Sequence, residues 1–259
     1  MEDVRACLPV SGGVPPGAAF AATTDPRWRI RKGTHPMSLL VLDSPYGDSH
    51  SLPFRFRQRR FAFIQALIER TLQERGSCRI LDVGGEAVYW DIAKDYLSQR
   101  NVHVTLLNLV KENAPSSQFS SVKGDATRLG DVADMTYDLV HSNSVIEHVG
   151  NWQAMMAMAH HVRRLAPRYF VQTPNFWFPI EPHVRAPFFH WLPEQVRCRI
   201  LMNFDIGFAP RRQTVDHAMR DVQSMALLDR RQFAALFPDA QMHVERVLGL
   251  PKSLMAIRG

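Results

Sequence analysis

Cysteine is scarce in this 259-residue chain: Cys7, Cys78 and Cys198 are far apart and odd in number. Neither a disulfide framework nor a zinc site is suggested, and a reducing cytoplasm is the default compartment. No apolar run approaches the roughly 20 residues of a membrane-spanning helix. The opening MEDVRACLPV lacks the basic segment and following apolar stretch of a signal peptide. Charge of one sign is not concentrated either, since the formal charge of +6 comes from scattered arginines with one dense cluster at 55–60. Such a balance permits nucleic acid, anionic lipid or an acidic substrate and selects none of them. Glycine is missing where a dinucleotide fingerprint beginning at Gly84 would need it, because Glu86 and Tyr89 occupy those places. That argues against NAD or FAD.

What is present centres on residues 79–90, RILDVGGEAVYW. An apolar run ends in Asp82, a Gly-Gly turn follows, and the next segment can start a helix, which reads as a buried first strand opening onto a ligand-binding turn. A carboxylate beside a helix N-terminus repels a pyrophosphate but tolerates a cofactor carrying a sulfonium and an ammonium. The turn suits S-adenosylmethionine, with a structural turn as the plain alternative.

With 46% hydrophobic residues the chain can bury a full core. Residues 1–27, rich in Gly, Pro, Ala and Thr without periodicity, are expected to be a disordered tail. The remainder, 28–259, is expected to be one domain. Helical spacing of Phe61, Ile64, Leu67, Ile68 and Leu72 predicts a helix over 52–75 that Gly76 ends. Strands are expected at 79–83, 102–109, 119–123, 137–143 and 168–173, with Pro174 stopping the fifth, and helices at 89–99 and 151–165. Residues 175–224 form a long insertion with many aromatics, prolines and histidines and a short helix near 193–202; so long an irregular stretch is usually functional. A helix at 230–236 and strands at 241–247 and 253–258, close enough to pair antiparallel, complete the pattern. Strands alternating with helices imply a doubly wound, mostly parallel α/β sheet with ligands beyond its carboxyl edge.

The ends of four strands carry DVGG (82–85), LLNL (106–109), GDATRL (124–129) and SNSVIEHVG (142–150). As an ordered set these resemble the class I S-adenosylmethionine-dependent methyltransferases over about residues 54–258. QTPNFWFPIEPH and GLPKS further resemble a small-molecule branch. The resemblance implies a Rossmann-like methyltransferase fold, a seven-stranded mostly parallel sheet with a C-terminal antiparallel hairpin. It also implies S-adenosyl-L-methionine as cofactor. Asp82, Gly84 and Gly85 would hold the methionine part, although Glu86 and Val88 stand where the family's further glycines fall. Asn108 stands where a carboxylate commonly binds the ribose hydroxyls, so Asn108→Asp is expected to keep or tighten binding. Asp125, with Ala126, would take the adenine, and Ser142 and Asn143 would lie against the sulfonium. For Tyr89 and Trp90, core packing is preferred to a contact with the sulfonium.

Methyl transfer mainly requires alignment, plus a base where the acceptor is a hydroxyl. His148, beyond the fourth strand, and His183 in the insertion are the expected catalytic residues. Asn175, Glu181 and Arg185 are the expected substrate contacts, with 175–224 as a substrate lid. Related metal-dependent enzymes carry an acidic residue at the position of Ser144, so no metal is assigned. Arg55, Arg57, Arg59 and Arg60 read as a solvated helix face. The expected acceptor is a small molecule, a sugar, lipid or secondary metabolite. An RNA methyltransferase and a non-catalytic binding protein with a degenerate site remain the alternatives. Enzymes acting on base amino groups usually carry Asn or Asp, then Pro-Pro and an aromatic, after the fourth strand, and SNSVIEH does not. The acceptor's identity and the oligomeric state stay open.

Overall fold

The computed structural model describes residues 52–111, 113–181 and 183–259; the expected tail at 1–27 lies outside them. In chain order the elements are α1 (Leu52–Arg75), β1 (Cys78–Val83), α2 (Lys94–Ser98), β2 (Val102–Asn108), β3 (Phe119–Lys123), β4 (Leu139–Asn143), α3 (Trp152–Leu165), β5 (Arg168–Pro174), α4 (Glu194–Asn203), α5 (Val215–Gln223), α6 (Arg230–Leu236), β6 (Gln241–Val247) and β7 (Leu250–Arg258). The seven strands form one sheet in the order β3-β2-β1-β4-β5-β7-β6. β1 to β5 pair parallel, while β7 pairs antiparallel with β5 and with β6. The order reverses between β1 and β4, so the carboxyl ends of these two strands flank the switch point of the sheet.

Two apolar layers cover the sheet. On one face α1 buries Phe61, Ile64, Leu67 and Ile68 with Ile80, Leu106, Leu139 and Phe170. On the other, α3 and α6 pack Met155, Met158, Val162, Leu165, Phe233 and Leu236 over Leu81, Val140 and Val171. Each such fully buried side chain contributes roughly 1.5–3 kcal/mol. Asn151 starts α3 as an N-cap, its side chain accepting from Ala154 N at 3.0 Å. Gly76, at φ 73°, ends α1 by donating to Leu72 O.

Several boundaries differ from the sequence reading for local reasons. β4 begins at Leu139 because the Tyr137 N–H goes to Leu165 O at the end of α3. The helix expected at 89–99 is a 3-10 helix over Ala87–Ala93 followed by α2. Tyr89 and Trp90 are both buried there and hold the segment against the sheet. β5 includes Pro174, paired with Ser253 at its last position. β7 starts before Pro251 because that proline sits opposite a bulge between Glu245 and Arg246. Leu248 and Gly249, both with positive φ, make the two-residue hairpin turn. The solvated face expected of the arginine cluster holds for Arg55 and Arg59 only. Arg57 and Arg60 are buried, with Arg60 facing Glu245 at 3.8 Å. The insertion is more regular than expected: besides α4 it contains α5, capped by Thr214, and its own core of Phe189, Cys198, Leu201, Ala209, Ala218 and Val222. Among the described residues no helix is long and apolar enough to cross a membrane.

Candidate active site

At the carboxyl ends of β1 and β4, a cavity of about 230 Å³ is lined by Asp82, Gly84, Gly85, Glu86, Tyr89, His141, Asn143 and Ser144. The two glycines are required by close approach. A Cβ on Gly84, whose φ is +68°, would lie 2.5 Å from a Val145 methyl, and one on Gly85 would lie 1.8 Å from Asp82 Oδ2. Asp82 is fully buried and both its oxygens are engaged: Oδ2 accepts from Trp90 Nε1 at 2.7 Å, and Oδ1 lies 2.6 Å from His141 Nδ1. Trp90 is therefore core packing with a polar duty, fixing the carboxylate under the turn. Asn108, at the end of β2, holds the turn from the other side, its Nδ2 donating to Gly85 O at 2.8 Å. The cavity walls include the carboxylate residues Asp82 and Glu86 and the Asn143 side chain, whose Oδ1 is buried without a partner among the described residues. That acceptor-rich lining fits the ammonium and sulfonium of S-adenosylmethionine and opposes a phosphate.

Of the residues expected to hold the cofactor, Asp82, Gly84, Gly85 and Asn143 meet in this cavity, and Asn108 reaches it through Gly85. Asp125, Ala126 and Ser142 do not line it. Asp125 Oδ1 accepts from Thr127 N and Thr127 Oγ1, at 2.9 and 2.7 Å, which holds the turn after β3. Ala126 packs against the core, and Ser142 Oγ donates to Val83 O.

The second cluster joins the 3-10 turn Ile146–His148 to the insertion. His148 Nε2 and His183 Nε2 face each other at 3.0 Å. Their outer nitrogens meet acceptors: His148 Nδ1 the Ser224 carbonyl at 3.1 Å, and His183 Nδ1 the Glu181 Oε1 at 2.8 Å. A carbonyl and a carboxylate can only accept, so each ring carries its hydrogen on Nδ1 and the two Nε2 lone pairs converge. A proton or a cation between them is what makes this approach favourable. Desolvation, then the neighbouring His183, lowers the pKa of His148. Beneath the pair, Glu147 is wholly buried. Desolvation pushes its carboxyl up to about 7, against the opposing influence of His183 and of the hydrogen bond from Thr173 Oγ1 at 3.0 Å. One carboxylate oxygen of Glu147 and one nitrogen from each histidine lie within 4.8 Å of one another, close enough to hold a divalent ion.

Glu181 is buried and also accepts from the backbone N–H groups of His183 and Val184. Burial alone raises its pKa, but these donors, led by the His183 side chain, outweigh it and hold the carboxyl below its ordinary range. The other two expected substrate contacts are engaged elsewhere. Asn175 donates to Pro251 O and accepts from Trp177 N, while the Arg185 guanidinium lies 4.3 Å from the Phe208 ring centre. Sequence reasoning missed His141. A histidine within the buried strand LVHSN, which the fold sets in register with Asp82, was the available signal.

Residues 79–167 match the family model described as a methyltransferase domain. No curated protein matches the sequence significantly. Similar solved structures include magnesium protoporphyrin IX methyltransferase from Synechocystis PCC 6803 with bound S-adenosylmethionine, at 14% identity and TM-score 0.47, covering 93% of each chain. An O-methyltransferase family protein from Burkholderia thailandensis is similar at 10% identity and TM-score 0.43, over 79% of this chain and 57% of that one. The 1,6-didemethyltoxoflavin-N1-methyltransferase of Burkholderia thailandensis is similar at 13% identity and TM-score 0.41, over 83% and 92%. The family match falls on the stretch that builds the glycine turn, β1 to β4 and the acceptor-lined cavity, and on that ground residues 79–167 carry a methyltransferase domain of the S-adenosylmethionine-dependent kind.

Proposed function

We propose that the protein methylates a hydroxyl group of a small-molecule acceptor, a sugar, lipid or secondary metabolite, and that the paired His148 and His183 take up the hydroxyl proton. The observation that carries this reading is the 3.0 Å approach of two Nε2 atoms whose outer nitrogens are both anchored. When bound, the cofactor supplies a methyl carbon already activated by a positive sulfur. The chain's task is then to align the acceptor oxygen and accept its proton, which a neutral Nε2 does. Glu181 orients His183 and stabilises the charge that the pair gains. The insertion at 175–224 serves as the lid that carries His183 to the site, with Asn175 and Arg185 among its acceptor contacts. Asp82, Gly84, Gly85, Asn108, Asp125, Ala126, Ser142 and Asn143 make up the cofactor side in this reading, Asp125 and Ala126 at the adenine.

The test begins with calorimetric binding of S-adenosylmethionine, then transfer of its labelled methyl to a panel of sugars, hydroxylated lipids and phenols. Label is expected in a methyl ether product, with turnover falling by a factor on the order of 100 to 10,000 in His148→Ala or His183→Ala at unchanged cofactor affinity. Label on an amine, or full activity in both variants, would overturn the hydroxyl reading. Activity lost to a chelator and restored by a divalent ion would assign the convergent nitrogens to a metal instead.

A further inference from the structure

We infer that His141 is a cofactor-binding residue, its Nε2 accepting a hydrogen bond from the α-ammonium of S-adenosylmethionine, and that Asp82 acts through it as a positioning residue. The inference rests on the cofactor site and is independent of the acceptor.

The resemblance gives Asp82 the methionine end of the cofactor, yet the Asp82 carboxylate is closed off. Trp90 Nε1 occupies Oδ2, His141 Nδ1 occupies Oδ1, and the backbone of Gly85 covers it so closely that a Cβ there would overlap Oδ2. Its negative charge is relayed instead. Because a carboxylate accepts, Nδ1 of His141 carries a hydrogen, and in the tautomer with only that hydrogen the ring presents a lone pair at Nε2.

His141 is 1% exposed, its Nε2 is buried without a partner among the described residues, and the residue lines the same cavity as Glu86 and Asn143. A buried acceptor left unpaired costs stability, and a ligand donor that meets it removes that cost. The ring is hemmed in, stacked on Phe170 at 5.7 Å between centroids and met by a tilted Tyr89 at 4.8 Å and an edge-on Trp90 at 5.2 Å. The ring, and Nε2 with it, is therefore held in one place in the wall of the cavity that His141 lines. Of the groups that S-adenosylmethionine brings to a turn beside carboxylates, the ammonium is the one with hydrogens to donate.

Two ligands and two variants test this by calorimetry: S-adenosylhomocysteine and its analogue lacking the α-amino group, with His141→Asn and His141→Gln. Asparagine keeps a polar atom where Nδ1 meets Asp82 but none where Nε2 stands; glutamine supplies one at the Nε2 place. Wild type should bind the deaminated analogue more weakly by a factor on the order of 10 to 100. His141→Asn should bind S-adenosylhomocysteine that much more weakly, with little difference between the ligands, and His141→Gln should regain part of the discrimination. Equal weakening of both ligands by His141→Asn, unchanged affinity, or identical behaviour of the Asn and Gln variants would overturn the inference. Failure of wild type to bind either ligand would overturn the cofactor assignment and this inference with it.

Discussion

The backbone of Gly85 lies directly on the carboxylate of Asp82: a Cβ at position 85 would sit 1.8 Å from Oδ2 and 2.0 Å from the carboxylate carbon. Asp82 cannot retreat, because Trp90 and His141 hold its two oxygens inside the core. Gly85→Ala is therefore expected to displace the turn and to destabilise the protein by about 1–3 kcal/mol. Cofactor affinity should fall in parallel. Thermal denaturation and calorimetry on the same preparation check both, and an unperturbed melting temperature would show that the turn is looser than this packing requires.

Asn108 reverses an expectation drawn from the sequence. As an isolated residue at the end of β2, its replacement by Asp looks harmless or favourable, since a charged acceptor binds hydroxyls better than an amide. In the structure its Nδ2 donates to Gly85 O at 2.8 Å. A carboxylate there has no hydrogen to give and faces a carbonyl. Asn108→Asp should lower stability by roughly 1–2 kcal/mol and weaken cofactor binding. A melting curve and a binding isotherm that match wild type would restore the sequence-based expectation.

The two cases mark what a sequence discloses. The succession of strands and helices along the chain, the parallel sheet and the hairpin were legible because buried strands and amphipathic helices carry their period in the residues themselves, as with Ile64, Leu67 and Ile68 on α1. His148 and His183 were singled out by position alone, both lying beyond the carboxyl edge, whereas the contact between their Nε2 atoms was not foreseen. The use of polar side chains was not legible. Nothing local says that Asp82 is spent on Trp90 and His141 or that Asn108 donates to a turn, because these partners come from the folded chain; Asp125, by contrast, serves Thr127 only two residues on. α5 was overlooked because Val215–Gln223 is short and mostly polar. Its apolar contribution is confined to residues such as Ala218 and Val222, which enter the insertion's own core.

Acid sensitivity should be concentrated at Asp138. Its buried carboxylate accepts from Arg79 N at 2.8 Å, Arg79 Nε at 3.2 Å and Arg75 at 2.9 Å. Burial raises its pKa, but the hydrogen bonds from Arg79 outweigh this and hold the carboxyl below the ordinary range. A folded pKa below the unfolded one stabilises above the unfolded value, near about 3.9, and that contribution is lost as pH falls through the folded pKa. Asp138→Asn should therefore be less stable than wild type by about 1–3 kcal/mol near neutral pH. The deficit should shrink as pH drops below 4. A constant gap in melting temperature across that range would assign the effect to packing.

Cys78 should be inert in the folded protein. It is 1% exposed, and burial, reinforced by the charge of Asp138, pushes its thiol up to about 12. The thiolate is the reactive form, so at pH 8 both access and ionisation are denied. Iodoacetamide followed by peptide mapping should find Cys78 unlabelled in native protein and labelled after denaturation. Rapid native labelling would mean that β1 opens locally.

The histidine pair gives the sharpest test of the proposed chemistry. If one proton is shared between His148 Nε2 and His183 Nε2, the two rings act as a unit and neither works as well alone. Removing His148 leaves His183 anchored on Glu181 but deprived of its partner; removing His183 strands His148 on the Ser224 carbonyl. Each alanine variant should then lose a similar factor in turnover. The double variant should lose hardly more than either single one, since the second substitution removes a group already disabled. Glu181→Gln, which keeps an acceptor for His183 Nδ1 but removes the charge, should cost less than either alanine variant. Turnover of the four variants on one acceptor, with cofactor affinity measured alongside, decides the matter. Multiplicative losses in the double variant would show that the histidines act independently, one in proton transfer and the other in holding the insertion.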